Sequence, residues 1–331
     1  MSLPAPPGLP SLASPVQTYS APALNTVLVP LVSPSQWNAY PTALAGSNLV
    51  PGGTDAQQTM ALAQLCRQAT TYADEYVYGT LPYGSPPGFS ARYVTEVRTT
   101  TLTSGLLRLY SRNNPILALT NYAWSIGGGQ AAPIALTSNV QAWIEGHVVT
   151  IPFAATQSPL ISSTRDAMAY PSASEGSRIT SYWTYLGGYP HTSLAAAATA
   201  GQTSLTLATN TTSGDIAGLS PGVVLRIEDY TNGPESVVVD SVSGAVVALS
   251  GPLAYDHPLP TAPDFTPVTS VPQTVSQAAL FLVSALVLNR GMMPLALSSL
   301  SSPSSLSGDA GQAVGFLTLA CDALDPFKQL L

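Results

Sequence analysis

The sequence predicts an α+β protein: a helical core that carries a β-rich middle region and an inserted small β-barrel or sandwich module. Three observations carry this reading. Apolar residues recur at helical spacing over 54–78 and 310–324, and 275–289 is an unbroken apolar run of the kind a buried helix makes. Between 91 and 190 the pattern switches to the alternation of strands, punctuated by turn residues. Residues 200–257 then hold four or five short apolar runs separated by turns such as Thr231-Asn232-Gly233-Pro234 and Ser243-Gly244, enough strands for one sheet with a covered face.

Residues 1–50 read as an extended Pro-rich arm. Pro4, Pro6, Pro7, Pro10, Pro15, Pro22, Pro30, Pro34 and Pro41 disfavour helix and favour a polyproline-like path. Residues 27–32 and Trp37 give the arm apolar groups to pack on its own body or on a neighbour. Residues 51–195 form the first part of the core. Gly52-Gly53 breaks the chain, Thr54 or Asp55 caps a helix over 54–78, and Gly79 ends it. Leu62, Leu65, Ala69, Tyr72 and Tyr76 recur along it at steps of three and four. Asp74 and Glu75 oppose the helix dipole at that end, so they are expected to face a partner or water. Strands are expected over 91–103, 105–110, 116–126, 142–153 and 177–185. Arg112-Asn113-Asn114-Pro115 and Gly127-Gly128-Gly129 are the turns, and a long loop covers 156–176.

The module at 196–262 has its strands over 204–208, 223–228, 235–242 and 245–249. Pro258, Pro260, Pro263, Pro267 and Pro272 read as a stiff linker into the second part of the core, 263–331. There 275–289 is apolar on most sides, the pattern of a buried helix. Gly291 and Pro294 end it, and a Ser-rich stretch over 297–307 follows. Asp309 caps a last helix with Val314, Leu317, Ala320, Cys321 and Leu324 on one face, before the tail Asp325-Pro326-Phe327-Lys328.

Composition narrows the function. Only 8% of the 331 residues are charged, against 30 prolines and 26 glycines. A surface so poor in charge fits a chain covered by neighbouring copies; a GC-rich genome favouring Ala, Pro and Gly codons gives the same composition. The net charge of −7, with ten Lys and Arg scattered along the chain, argues against a nucleic-acid binder that neutralises phosphates. Cys66 and Cys321 lack metal-ligand spacing and read as small buried apolar groups. The first fifteen residues lack the basic region and apolar core of a signal peptide, and the longest apolar run, 278–288, is too short to span a bilayer.

Chemistry is sparse. Gly218-Leu219-Ser220-Pro221-Gly222 matches the G-x-S-x-G nucleophile pattern, but Pro221 has no N–H to offer an oxyanion hole and a strand follows where a helix is needed, so the segment reads as a turn. His147, His191 and His257 stand apart with no carboxylate or histidine at metal-binding spacing. Asp166, Glu175, Asp229 and Glu235 have no spacing that would pair an acid with a base. Gly127–Gly129 lacks a phosphate-binding pattern, and Asn210-Thr211-Thr212 reads as a turn. Tyr182, Trp183, Tyr185 and Tyr189 read as core or interface packing in preference to a stacking platform. No catalytic, cofactor-binding or metal-ligating residue is assigned, and no enzyme activity is expected.

Taken together, the capped helix over 55–78, the strands Gly105-Leu106-Leu107-Arg108-Leu109-Tyr110 and Asn114-Pro115-Ile116-Leu117-Ala118-Leu119, and the apolar helix after Val271-Pro272 resemble the head-to-tail connector (adaptor) proteins of long-tailed bacteriophages. The ending Ala320-Cys321-Asp322-Ala323-Leu324-Asp325-Pro326-Phe327-Lys328 is similar to the way such proteins close. The stretch 200–257 looks like a small β-domain of phage structural proteins, through its Ala-Gly-x-Thr-Ser-Leu-Thr-Leu start, Leu225-Arg226-Ile227, Glu235-Ser236-Val237 and Pro252-Leu253-Ala254-Tyr255-Asp256-His257. The resemblance covers about 55–330 and leaves out the arm and the 156–176 loop.

The resemblance implies a helical connector core and a homo-oligomeric ring, commonly of twelve copies, at the head-tail junction of the virion, assembled in the host cytoplasm. The ring would bind the portal protein on one side and a tail-side neck protein such as a stopper on the other, pass genome DNA without sequence recognition, and involve no membrane or cofactor. Twelve copies at −7 each would give a ring of about −84, a field that keeps DNA sliding. The alternative is another virion structural protein, a tail or capsid-decorating binding protein; a particle-borne hydrolase would need two carboxylates facing across a cleft.

Overall fold

The computed structural model describes residues 29–40, 44, 49–79, 88–126, 132–133, 143–152, 176–211, 214–289 and 309–328. Most of the arm, Gly127–Gly129, the 156–176 loop apart from Gly176, Asp166, Glu175, Gly291, Pro294 and the Ser-rich stretch lie outside them. The chain divides into two units, one holding Tyr93–Gly188 and the other holding Pro22–Leu81, Pro87–Arg92 and Tyr189–Leu331.

The first unit is built of strands: β1 (Arg92–Thr101), β2 (Leu106–Tyr110), β3 (Ile116–Ile126), β4 (Ala132–Pro133), β5 (Trp143–Glu145), β6 (Val148–Pro152) and β7 (Arg178–Gly187). They form a sheet of order β1-β7-β3-β4 and a second of order β2-β6-β5. β1 turns into β2 at Ser104-Gly105, both at positive φ, the geometry a tight right-twisted hairpin turn requires. The single strand expected over 142–153 is instead the hairpin β5–β6. Gly146, at φ 60°, reverses the chain between Glu145 and Val148, a turn that the surrounding apolar alternation masks. Leu107 and Leu109 of β2 and Val149 and Ile151 of β6 alternate inward, and Tyr122, Trp124, Trp183 and Tyr185 fill the larger sheet's buried positions.

The second unit joins a helical core to a barrel. Its helices are α1 (Pro34–Ala39), α2 (Asp55–Tyr78), α3 (Gln273–Leu288) and α4 (Asp309–Leu324), followed by a 3₁₀ turn at Asp325–Phe327. Thr54 caps α2 by accepting from the Gln57 N–H while the Gln57 side chain accepts from the Thr54 N–H, and Gly79 ends the helix. The inner stripe of α2 is Leu62, Leu65, Cys66, Ala69, Ala73 and Val77, packed with Val275, Ala279, Leu282, Val283 and Leu286 of α3 and Leu317, Ala320 and Leu324 of α4. Tyr72 and Tyr76 lie one position to the side of this stripe, so Tyr72 is exposed and Tyr76 half-buried, contrary to the expected spacing. The arm is not extended throughout. Ser33 caps α1, Pro34 takes the first helical position where its missing N–H costs nothing, and Leu31, Val32 and Trp37 are buried in this same helical core. Among the described residues no helix is long and apolar enough to cross a membrane.

The barrel has β8 (His191–Ser193), β9 (Ser204–Thr206), β10 (Val224–Ile227), β11 (Glu235–Ser243), β12 (Val246–Leu249) and β13 (Pro267–Thr269), ordered β8-β13-β10-β11-β12-β9. The two outer strands meet: Ala195 N–H donates to the Thr206 carbonyl and Ala208 N–H to the Ser193 carbonyl, so the sheet closes on itself. Leu194, Leu205, Leu207, Leu225, Ile227, Val237, Val239, Val247, Leu249 and Val268 fill its interior. The barrel draws on β8 and β13, which lie outside 196–262. Pro267, read from sequence as linker, is the first residue of a strand and serves it through its carbonyl, which accepts from Glu228 N–H.

Candidate functional site

The most concentrated polar chemistry among the described residues lies at one end of the barrel. The chain after β12 returns along residue 198, where His257 N–H donates to the Ala198 carbonyl at 2.7 Å and Ala198 N–H to the His257 carbonyl at 2.9 Å. This pairing seats the imidazole inside, fully buried. Its Nδ1 stands 3.0 Å from Asp229 Oδ2, two residues past β10, and its Nε2 stands 2.6 Å from Glu235 Oε1, the first residue of β11. Each carboxylate is also held by backbone: Thr231 N–H donates to Asp229 Oδ1, and Ala254 N–H to Glu235 Oε2.

With a carboxylate oxygen at each ring nitrogen, the imidazole has a hydrogen-bond partner at both ends. The carboxylates approach opposite ends of the ring and cannot converge on one ion, and no group of three potential ligands among the described residues could hold a metal. A ring with no exposed surface also cannot reach a substrate. The triad therefore clamps the turn after Asp229, the start of β11 and the return segment before His257; it is a strut.

Two further buried clusters have the same character. In the helical core, Asp74 accepts from Phe89 N–H at 2.9 Å and from Arg92 Nη2 at 3.2 Å. Burial pushes the Asp74 carboxyl up to about 6 even with the Arg92 cation beside it. Asp74 is thus turned into the core, contrary to the expectation that it faces a partner or water; of the two acids only Glu75 is exposed. Gly88 makes room for the pair, since a Cβ there would lie 2.3 Å from Asp74 Oδ2 and 2.4 Å from Arg92 Nη2. In the strand unit, Tyr185 donates its hydroxyl to Glu96 Oε1 at 2.5 Å, and the same oxygen accepts from Arg112 N–H at 2.8 Å. Burial, with the Glu96 charge next in weight, raises the Tyr185 phenol well above its usual range.

The other residues singled out from sequence are dispersed. Ser220 is exposed in a turn whose carbonyl accepts from Val223 N–H, ahead of β10. His147 occupies the β5–β6 turn, its ring centroid 5.9 Å from that of Tyr110. His191 is buried with Nε2 2.9 Å from the Pro30 carbonyl oxygen, and burial pushes it down to about 4. Asn210 Oδ1 accepts from Ala217 N–H within a loop of the barrel unit. Trp183 and Tyr185 stack at 4.5 Å inside the strand unit, so with Tyr182 they are core and offer no platform; Tyr189 is half-buried. Cys66 is a free buried thiol and Cys321 a free half-buried one. The tail packs on its own chain: Phe327 meets Phe89 edge-on at 5.8 Å, and Lys328 lies 3.1 Å from Asp325 and 3.5 Å from the Tyr76 ring centroid.

The grouping of Asp229, Glu235 and His257 is what sequence reasoning missed. Only the flanking of one predicted turn by two acids hinted at it; the separations of 28 and 22 residues to His257 are set by barrel closure. No family model matches the chain, and no curated protein or solved structure matches it.

Proposed function

We propose that the chain is a structural virion protein that acts by contact, forming a ring at the neck of a long-tailed bacteriophage between the portal and the tail-side proteins, with the genome passing through its channel. The observation that carries this reading is the inward use of its reactive side chains. His257, Asp229 and Glu235 cross-brace a closed barrel, and Asp74 and Arg92 brace the helical core, while only 8% of all residues carry charge. Such a chain meets neighbours through shape and apolar area. The resemblance noted from the sequence supplies the location. Mixing the purified chain with portal and weighing the products by native mass spectrometry tests it: a ring-sized complex supports the proposal, and a stable monomer that never joins portal sinks it. Locating the chain on the capsid shell of a virion would replace it with a decorating role.

A further inference from the structure

The outer face of α2 offers a contact that neither the struts nor the ring reading uses. Opposite its buried stripe, Gln64, Arg67, Gln68, Thr71, Tyr72 and Glu75 line a shallow groove along the helix. Met60 and Tyr72 add exposed apolar surface to that side, at 61% and 36%. Arg67 and Glu75 stand four residues before and after Thr71, roughly 6 Å along the axis in each direction at the helical rise. Neither forms an ion pair with another described residue. A cation and an anion equidistant from one small residue form a self-complementary pattern.

We propose that two copies of the chain pair antiparallel through this face of α2, about a two-fold axis at Thr71. The antiparallel copy sets Arg67 opposite Glu75 of the second copy, and Glu75 opposite its Arg67, so one ion pair is made twice. A parallel copy in register would set Arg67 against Arg67 and Glu75 against Glu75, which charge forbids. Thr71 at the crossing is small enough for the helices to approach to the usual 8–10 Å, and Tyr72 flanks the crossing as an apolar contact of the kind interfaces favour. The contact is isologous, with residue 71 meeting itself. Protomers around a ring meet through two different patches, so this pairing stands apart from the ring.

Two measurements on the full chain test it. In a Cys321→Ser background, Thr71→Cys is expected to form a disulfide-linked dimer under mild oxidation, since Cys66 is buried in the core and does not compete. In sedimentation equilibrium, Arg67→Glu and Glu75→Arg are each expected to weaken self-association at least about tenfold by placing like charges together, and the double variant to restore it. Absence of the 71–71 link, or charge variants that associate like the parent, or a double variant no better than the singles, overturns the proposal. A ring that still forms with portal in those variants would leave the ring reading standing and show that its failure and that of the α2 pairing are separate.

Discussion

Trp37 donates its indole N–H to Ser284 Oγ at 3.1 Å, across 247 residues of sequence. Ser284 in turn donates to the Leu280 carbonyl at 2.9 Å, so its hydroxyl is used in both directions inside α3. Trp37→Phe keeps most of the bulk and loses the bond, with an expected cost of about 1 kcal/mol in chemical denaturation. Trp37→Ala should cost about 3–5 kcal/mol by opening a cavity under α1. Equal, small effects of the two would mean that α1 does not pack on the core.

Removing the imidazole of the barrel triad alone should be worse than removing the polar groups of the whole triad. His257→Ala leaves the buried Asp229 and the half-buried Glu235 without their shared imidazole partner, at an expected cost of about 3–5 kcal/mol. Adding Asp229→Asn and Glu235→Gln to it should recover a good part of the loss. Thermal unfolding of the single and triple variants checks this, and a triple variant less stable than the single would refute the strut.

Gly88→Ala places a methyl group on the Asp74–Arg92 pair, where the built Cβ falls 2.3 Å from a carboxylate oxygen. We expect a loss of about 1–3 kcal/mol. The same change in an Asp74→Ala, Arg92→Ala background should cost much less, since the obstructing side chains are gone; additive effects would show that the clash is relieved elsewhere.

Asp74 and His191 tilt stability in opposite directions over the same pH range. The Asp74 carboxyl, pushed by burial to about 6, holds its proton longer in the folded chain than in the unfolded one, so its contribution falls as pH rises from the ordinary carboxylate range toward 6. His191, pushed by burial to about 4, resists protonation when folded, so its contribution is present above the ordinary imidazole range and is lost as pH falls toward 4. The parent should therefore show a shallow profile between pH 4 and 6. His191→Gln should uncover stability that declines with rising pH, and Asp74→Asn stability that increases with it. Denaturation midpoints across that range measure both slopes, and unchanged profiles in the two variants would count against the burial of these groups.

Local signals were the legible part of this chain. The Thr54 cap and Gly79 stop bounded α2, the Asn114-Pro115 turn opened β3, and the turn residues of the barrel marked four of its strands. The remainder depended on partners remote in sequence. Pro34 looked like a helix breaker because its role as first residue of α1 depends on Ser33 capping and on Trp37 finding Ser284. Asp74 reads from the sequence as facing a partner or water because Arg92 stands eighteen residues further along the chain. β8 and β13 are three-residue strands that exist through each other, and neither carries a period long enough to read. The His257 triad belongs to this class too, since barrel closure alone brings its three members together.

β8 and β13 are antiparallel neighbours, with His191 opposite Thr269 and Ser193 opposite Pro267. The path into the barrel and the path out of it therefore run side by side, and seen from α2 and α3 the seventy-odd residues between occupy the place of a hairpin turn. A fold wired in this way can lose, lengthen or exchange that whole segment by a single splice without re-threading its helices. The barrel is in that sense a cassette, free to diverge at a different pace from the core that holds it.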